Sequence, residues 1–348
     1  MSLRTLKGRF SFVRTLGGCS CTTNLTGPTT SSSKLLAGRG LTWHDRERAL
    51  ELLRSVGYYR LGAYVYPFRE LLPVSEQRVG SPVRFRSSFI RPGTTMEQVE
   101  ALWGFDRALR LLVLDGVETV ETGLRTQVAY VLGRRDTFGH VHQQALENSA
   151  CSWRHPRTGR GAFDEWLQAY AGLQHRARNE DFVRHHLAKY GEPLPVWVAV
   201  EFMDFGGLTR LFSLMKKADQ RVIAHQLGVE GGPFFSDWMR GVGHVRNVAA
   251  HHSRMWNRTL TQKFRHPRPA QVNQELHHLI DINTLDRVYP ALAVIAYLAH
   301  HVDPRSSWPG KVRQLLAGFP ELPGLSIEEG MGVPRGWAQL PLWRDRAG

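Results

Sequence analysis

The sequence predicts an all-α protein: a mainly helical bundle with irregular connections and an extended C-terminal tail. Three observations carry the helical part of that prediction. Apolar residues recur at three-to-four-residue spacing through most of the chain, whereas the strand-helix alternation of a parallel nucleotide-binding sheet is missing. No Gly-rich phosphate loop of either standard form occurs. The longest periodic run begins at a capping signal and continues far enough to form a long core helix.

Taken in order, residues 1–33 read as a disordered basic, Ser- and Thr-rich arm, or as the product of a mis-assigned start. Within them SCTTNLTGPTTSSS, residues 20–33, has the composition of a linker, so folded structure is expected from about Lys34, in a single domain over 34–345. From Trp43 to Tyr59 the residues Ala49, Leu50, Leu53, Val56 and Tyr59 keep helical spacing and predict a short amphipathic helix. The proline-rich stretch 60–98 predicts a long irregular connection with room for short strands. Thr94 and Thr95 stand three residues before Glu97 and Gln98, the arrangement in which side chains satisfy the first free backbone donors of a helix. Val99, Leu102, Leu109, Leu112, Val113, Val117, Val120, Leu124 and Val128 then hold the period to about Leu132, with a bend expected at Gly116. Further helices are predicted at 163–190, 195–216, 218–227, 235–258, 271–279 and 284–301, and the tail 331–345 is expected to lie irregularly with its aromatic rings packed inward.

Lys and Arg number 45 against 31 Asp and Glu, a formal net charge of +14 over 348 residues. That excess points to a polyanionic partner, RNA or DNA before an anionic membrane surface. No apolar run approaches the roughly 18–20 residues that span a bilayer, so no membrane partner is expected. Cys19, Cys21 and Cys151 are too few for a disulfide framework or a four-thiolate zinc site, and a reducing cytoplasm is the simplest home. The histidine pairs at 185–186, 277–278 and 300–301 lack nearby cysteines or a His-Glu-x-x-His run, so no metal and no cofactor is predicted.

The segment HVRNVAAHHSRMWNR, residues 244–258, concentrates the polar chemistry. On one continuous helix Trp238, Val242, Val245, Ala249, His252 and Trp256 form the buried stripe, with His252 at its edge as structural support. Asn247, His251 and Arg254 then share the opposite face. Arg246 lies on a flank, and reaches His251 only through its long side chain or across a subunit boundary. An imidazole that titrates near neutral pH and a guanidinium that grips phosphate suit phosphodiester cleavage, in which the RNA 2′-hydroxyl supplies the nucleophile. The plainer reading is a histidine pair and an arginine satisfied by carboxylates at a helix interface.

At these residues the chain resembles the Abi-like (AbiD/AbiF) family of bacterial abortive-infection proteins, members of the HEPN superfamily of helical ribonucleases. The motif is Arg246-Asn247, three residues, then His251, followed by His252, Ser253, Arg254 and MWNR. The segments SVGYYRLGAYVYPFRE (55–70), GTTMEQVEALWGFDRALRLLVLDGVETVETGLRTQVAY (93–130), YGEPLPVWVAVEFMDFGGLTRLF (190–212) and MGVPRGWAQLPLWRD (331–345) resemble the family in the same order. The resemblance implies a metal-independent endoribonuclease, acting in phage defence or as a toxin and leaving 2′,3′-cyclic phosphate ends, with Arg246 and His251 as catalytic residues and Asn247 ordering the site. It also implies a homodimer whose two motif helices meet in a composite cleft. The alternative is a module that holds a structured small RNA with little turnover.

Around the motif, Arg254, Arg258, Lys263 and Arg265 read as a track for RNA phosphates, or else as a solvated face. Arg60, among Tyr58, Tyr59, Tyr64, Tyr66 and Phe68, reads as part of a base-stacking surface, with core packing as the competing reading. Glu121 and Arg125, spaced for an intrahelical ion pair beside Glu118, either serve structure or line the cleft and orient His251.

Overall fold

A computed structural model describes residues 29–77, 79 and 85–344; Cys19, Cys21 and the first 28 residues of the predicted arm lie outside them. The fold is mainly α, and its one sheet among the described residues has two strands. Contacts divide the chain into two compact units, Met1–Val99 and Glu100–Gly348, where the sequence reading has one domain over 34–345.

The first unit holds α1 (Thr29–Gly38), α2 (Arg46–Val56), α3 (Tyr58–Val65) and the antiparallel strands β1 (Arg69–Leu71) and β2 (Arg86–Ile90). Helix α1 takes in Thr29 to Ser33, which the composition assigns to the linker. Its Leu36 is buried, and burial in tertiary packing outweighs the weak helix propensity of Ser and Thr. Asp45 caps α2 by accepting the Arg48 N–H at 3.0 Å. Gly57, at φ 86°, ends α2 and lets α3 start at once, so the single helix predicted over 43–59 is two and the predicted irregular connection opens with a helix.

The second unit is built on α4 (Met96–Arg135), a continuous helix that begins in the first. The predicted capping box forms at Thr95 and Gln98: the Thr95 N–H donates to Gln98 Oε1 at 3.1 Å and the Gln98 N–H to Thr95 Oγ1 at 3.4 Å. Every periodic residue from Val99 to Leu132 is buried except Leu112, which is half-buried. At Gly116, where a bend was expected, the helix runs on, and the missing side chain admits the Trp308 ring; a Cβ there would lie 2.3 Å from it. Gly123 receives Val302 in the same way.

Then follow α5 (Asn148–Cys151), α6 (Ala162–Ala177), α7 (Asp181–Tyr190), α8 (Val196–Ala199), α9 (Phe205–Leu214), α10 (Lys217–Gln226), α11 (Gly232–Ala250), α12 (Val288–Val302), α13 (Trp308–Ala317) and α14 (Ile327–Met331). The predicted helix 163–190 divides between α6 and α7, and 195–216 divides at Met203-Asp204, where Asp204 caps α9. Residues 269–279 form short 3₁₀ turns rather than an α-helix, and α13 has no counterpart among the predicted helices. Helix α12 is buried all round from Val288 to Ala299 and packs against α11 and α13. The tail closes over it: Trp337 and Trp343 are buried, and Trp343 Nε1 donates to Tyr289 Oη at 3.0 Å. No helix among the described residues is long and apolar enough to cross a membrane.

Candidate functional site

The site begins with the end of α11. Trp238, Val242, Val245 and Ala249 are its buried stripe, as predicted, but the helix stops at Ala250 instead of continuing to 258. His251 is the capping residue; the His252 N–H donates to Ala249 O at 3.0 Å and the Ser253 N–H to Val248 O at 3.1 Å. These two bonds, with His252 at φ 54°, are a Schellman closure with histidine where glycine is usual. His252 is therefore exposed rather than buried, and what support it lends comes through its backbone.

A buried carboxylate explains why the chain turns here. Asp106 of α4, fully buried, accepts the Met255 N–H at 2.9 Å and the Trp256 N–H at 2.5 Å through Oδ1, while Oδ2 pairs with the Arg110 guanidinium. The turn carries Trp256 into the core off the helix, where its ring stacks near Phe319. Arg254 consequently does not share a helical face with Asn247 and His251; it is half-buried, and its carbonyl accepts from Arg258 at 3.2 Å.

Arg246, half-buried, donates to Asn247 Oδ1 at 3.3 Å, and both Asn247 and His251 are exposed. Beneath them Arg125 pairs with Glu121 at 2.9 Å and donates to the Met203 carbonyl at 2.9 Å, tying α4 to the start of α9. Burial pushes the Glu121 carboxyl above its ordinary range; the positive charges of Arg125 and Arg246 oppose that push, and Asp204 adds to it. Glu121 thus feels the charge of Arg246, while its own partner is Arg125, and neither Glu121 nor Arg125 hydrogen-bonds His251.

The phosphate track is partly neutralised. Arg265 pairs with Asp237 at 3.4 Å, the carboxylate that also holds Arg240, and Lys263 lies 4.0 Å from Asp286. Arg60 belongs to the first unit, exposed on α3 beside the exposed ring of Tyr59. The histidine pairs stay apart: among the described residues no three His, Cys, Asp or Glu side chains gather as a metal centre requires.

One residue escaped the sequence reading. His244 lines a cleft of about 400 Å³ between α9, α11 and the segment around Thr261, with Asn247 on its wall. Its Nε2 lies 3.4 Å from Thr261 Oγ1, and burial, with the charge of Arg258, holds its pKa below the ordinary value. The signal lay in the spacing: Arg240, His244, Asn247 and His251 follow one another at four, three and four residues.

Among known proteins, no curated protein and no solved structure matches the chain. The family model of Abi-like proteins matches it over residues 51–257, a span that contains Glu121, Arg125, Arg246, Asn247 and His251. With well over half of its length covered, this chain belongs to the family of Abi-like proteins.

Proposed function

We propose that the protein is a metal-independent endoribonuclease of the HEPN type, acting in abortive infection, with Arg246 and His251 as its catalytic pair. The observation that carries the reading is the end of α11. An exposed imidazole at the helix end follows a guanidinium that hydrogen-bonds Asn247 and whose charge acts on the Glu121 carboxyl. In the reaction the RNA 2′-oxygen attacks phosphorus, so that the O2′–P bond forms as P–O5′ breaks. One imidazole takes the 2′-hydroxyl proton, a second returns a proton to the departing 5′-oxygen, and Arg246 stabilises the developing phosphorane charge. A homodimer supplies the second imidazole, because this chain carries one Arg-Asn-x3-His motif and a two-fold axis brings its copy to the same phosphate.

The test is cleavage of RNA in EDTA by the purified full chain, with product ends identified by mass. Wild type yields 2′,3′-cyclic phosphate and 5′-hydroxyl ends, and Arg246→Ala and His251→Ala each abolish cutting. Activity that survives both substitutions overturns the assignment.

A second reading, an RNA-holding module with little turnover, is favoured by the first unit, where Tyr59 and Phe89 expose 85% and 60% of their surface and Arg60 is exposed. A discrete RNA co-purifying with wild type and with His251→Ala, and left uncut by both, supports this reading over the nuclease.

A further inference from the structure

We infer that the cleft beside Asn247 is a nucleobase pocket, which receives the base next to the phosphate addressed by Arg246 and discriminates among bases through His244, Thr261 and Gln262. The inference deepens the ribonuclease reading and rests on it for the class of ligand. A volume of about 400 Å³ falls in the range of small-molecule sites, roughly 300–1,000 Å³.

The walls decide what fits. Two glycines keep them bare: a Cβ on Gly243 would stand 3.1 Å from the Phe205 ring, and Gly206 presents only backbone. Apart from Arg240, whose charge is paired with Asp237, the polar groups are uncharged. His244 is half-buried and held toward its neutral form, with one ring nitrogen to donate and one to accept; Thr261 brings a hydroxyl and Gln262 a carboxamide. Neutral donors and acceptors set side by side match the edge of a planar heterocycle.

The same surroundings argue against a phosphate inside the cleft. The N-terminal end of α9 is already filled by Asp204, whose carboxylate accepts the Gly207 N–H at 2.7 Å, and Arg240 is tied to Asp237. The free phosphate grip lies one residue from the rim, at Arg246, which hydrogen-bonds Asn247 at 3.3 Å. A nucleotide is therefore accommodated with its base in the cleft and its phosphate at Arg246, which places base selection beside the scissile bond.

The experiment is calorimetric titration of the four nucleoside 3′-monophosphates into the full chain, with inorganic phosphate as reference. Wild type is expected to bind at least one of them more tightly than phosphate. His244→Ala and Gln262→Ala are each expected to weaken that binding about tenfold, the size of one lost hydrogen bond, and to flatten the preference among bases. Gln262 lies outside helix, so its variant keeps the test open should His244→Ala fail to fold. No nucleotide bound more tightly than phosphate, or affinities and preference unchanged in folded Gln262→Ala, overturns the pocket. The two readings fail separately: nucleotide binding that persists without any RNA cleavage sinks the ribonuclease, whereas cleavage with unchanged sequence preference in Gln262→Ala sinks the pocket.

Discussion

Asp106 offers the sharpest stability test of the site. Its carboxylate is fully buried and holds Arg110, itself 7% exposed, together with the Met255 and Trp256 N–H groups that turn the chain away from α11. Asp106→Ala removes the carboxylate partner of a guanidinium to which water has little access, and breaking one side of a buried ion pair costs about 3–5 kcal/mol. Each backbone N–H left without its acceptor adds about 1–3 kcal/mol, softened by local relaxation, so a loss of about 4 kcal/mol or more is expected. Against a typical stability of about 5–15 kcal/mol such a loss is severe. Asp106→Asn keeps an oxygen for the N–H groups but sets its NH2 against Arg110, so it should cost less than Asp106→Ala; Asp106→Ala with Arg110→Met should recover part of the loss, because the buried positive charge goes too. Urea unfolding followed by circular dichroism gives the three values, and amide hydrogen exchange at Met255 and Trp256 reports the turn itself. A loss under about 1 kcal/mol for Asp106→Ala, or unchanged protection of both amides, would refute the claim that this carboxylate fixes the turn after His251.

Three further expectations follow from the packing. Gly116→Val sets a side chain against the Trp308 ring, so although valine is a better helix former than glycine the variant should lose about 1–3 kcal/mol in thermal or urea unfolding; a gain would show that Trp308 yields freely. His252→Gly relieves a left-handed residue at φ 54° and should gain about 0.5–1 kcal/mol with RNA cleavage retained, and loss of cleavage would give the imidazole a direct role. His140 is fully buried, and burial, helped by His142 and opposed by Asp136, holds its pKa down to about 4 from 6.5. With the folded pKa depressed, the contribution is full above about 6.5 and is lost as pH falls toward about 4, a loss of roughly 3 kcal/mol. Melting temperature against pH should therefore fall more steeply across that window in wild type than in His140→Phe, and identical slopes would remove His140 as the cause.

The chain itself announces whatever its own neighbours in sequence enforce. The Thr95–Gln98 box and the apolar period through Leu132 lie within one helix, so α4 could be read in advance from its start to within a few residues of its end. The same holds for the α11 stripe from Trp238 to Ala249 and for the Arg246, Asn247 and His251 spacing. Where that helix stops was invisible, because no glycine marks the end and the group that redirects the chain, Asp106, stands 149 residues before Met255. The pairing of Arg265 with Asp237 is likewise a contact between separate segments, as is the Arg125 bond to the Met203 carbonyl, and such contacts set which charges are already partnered. So too with His244: its place on a helix face was legible, but only the approach of α9 and of Thr261 turns that face into the wall of a cleft. Periodicity reports which residues share a face, whereas tertiary packing sets what that face meets.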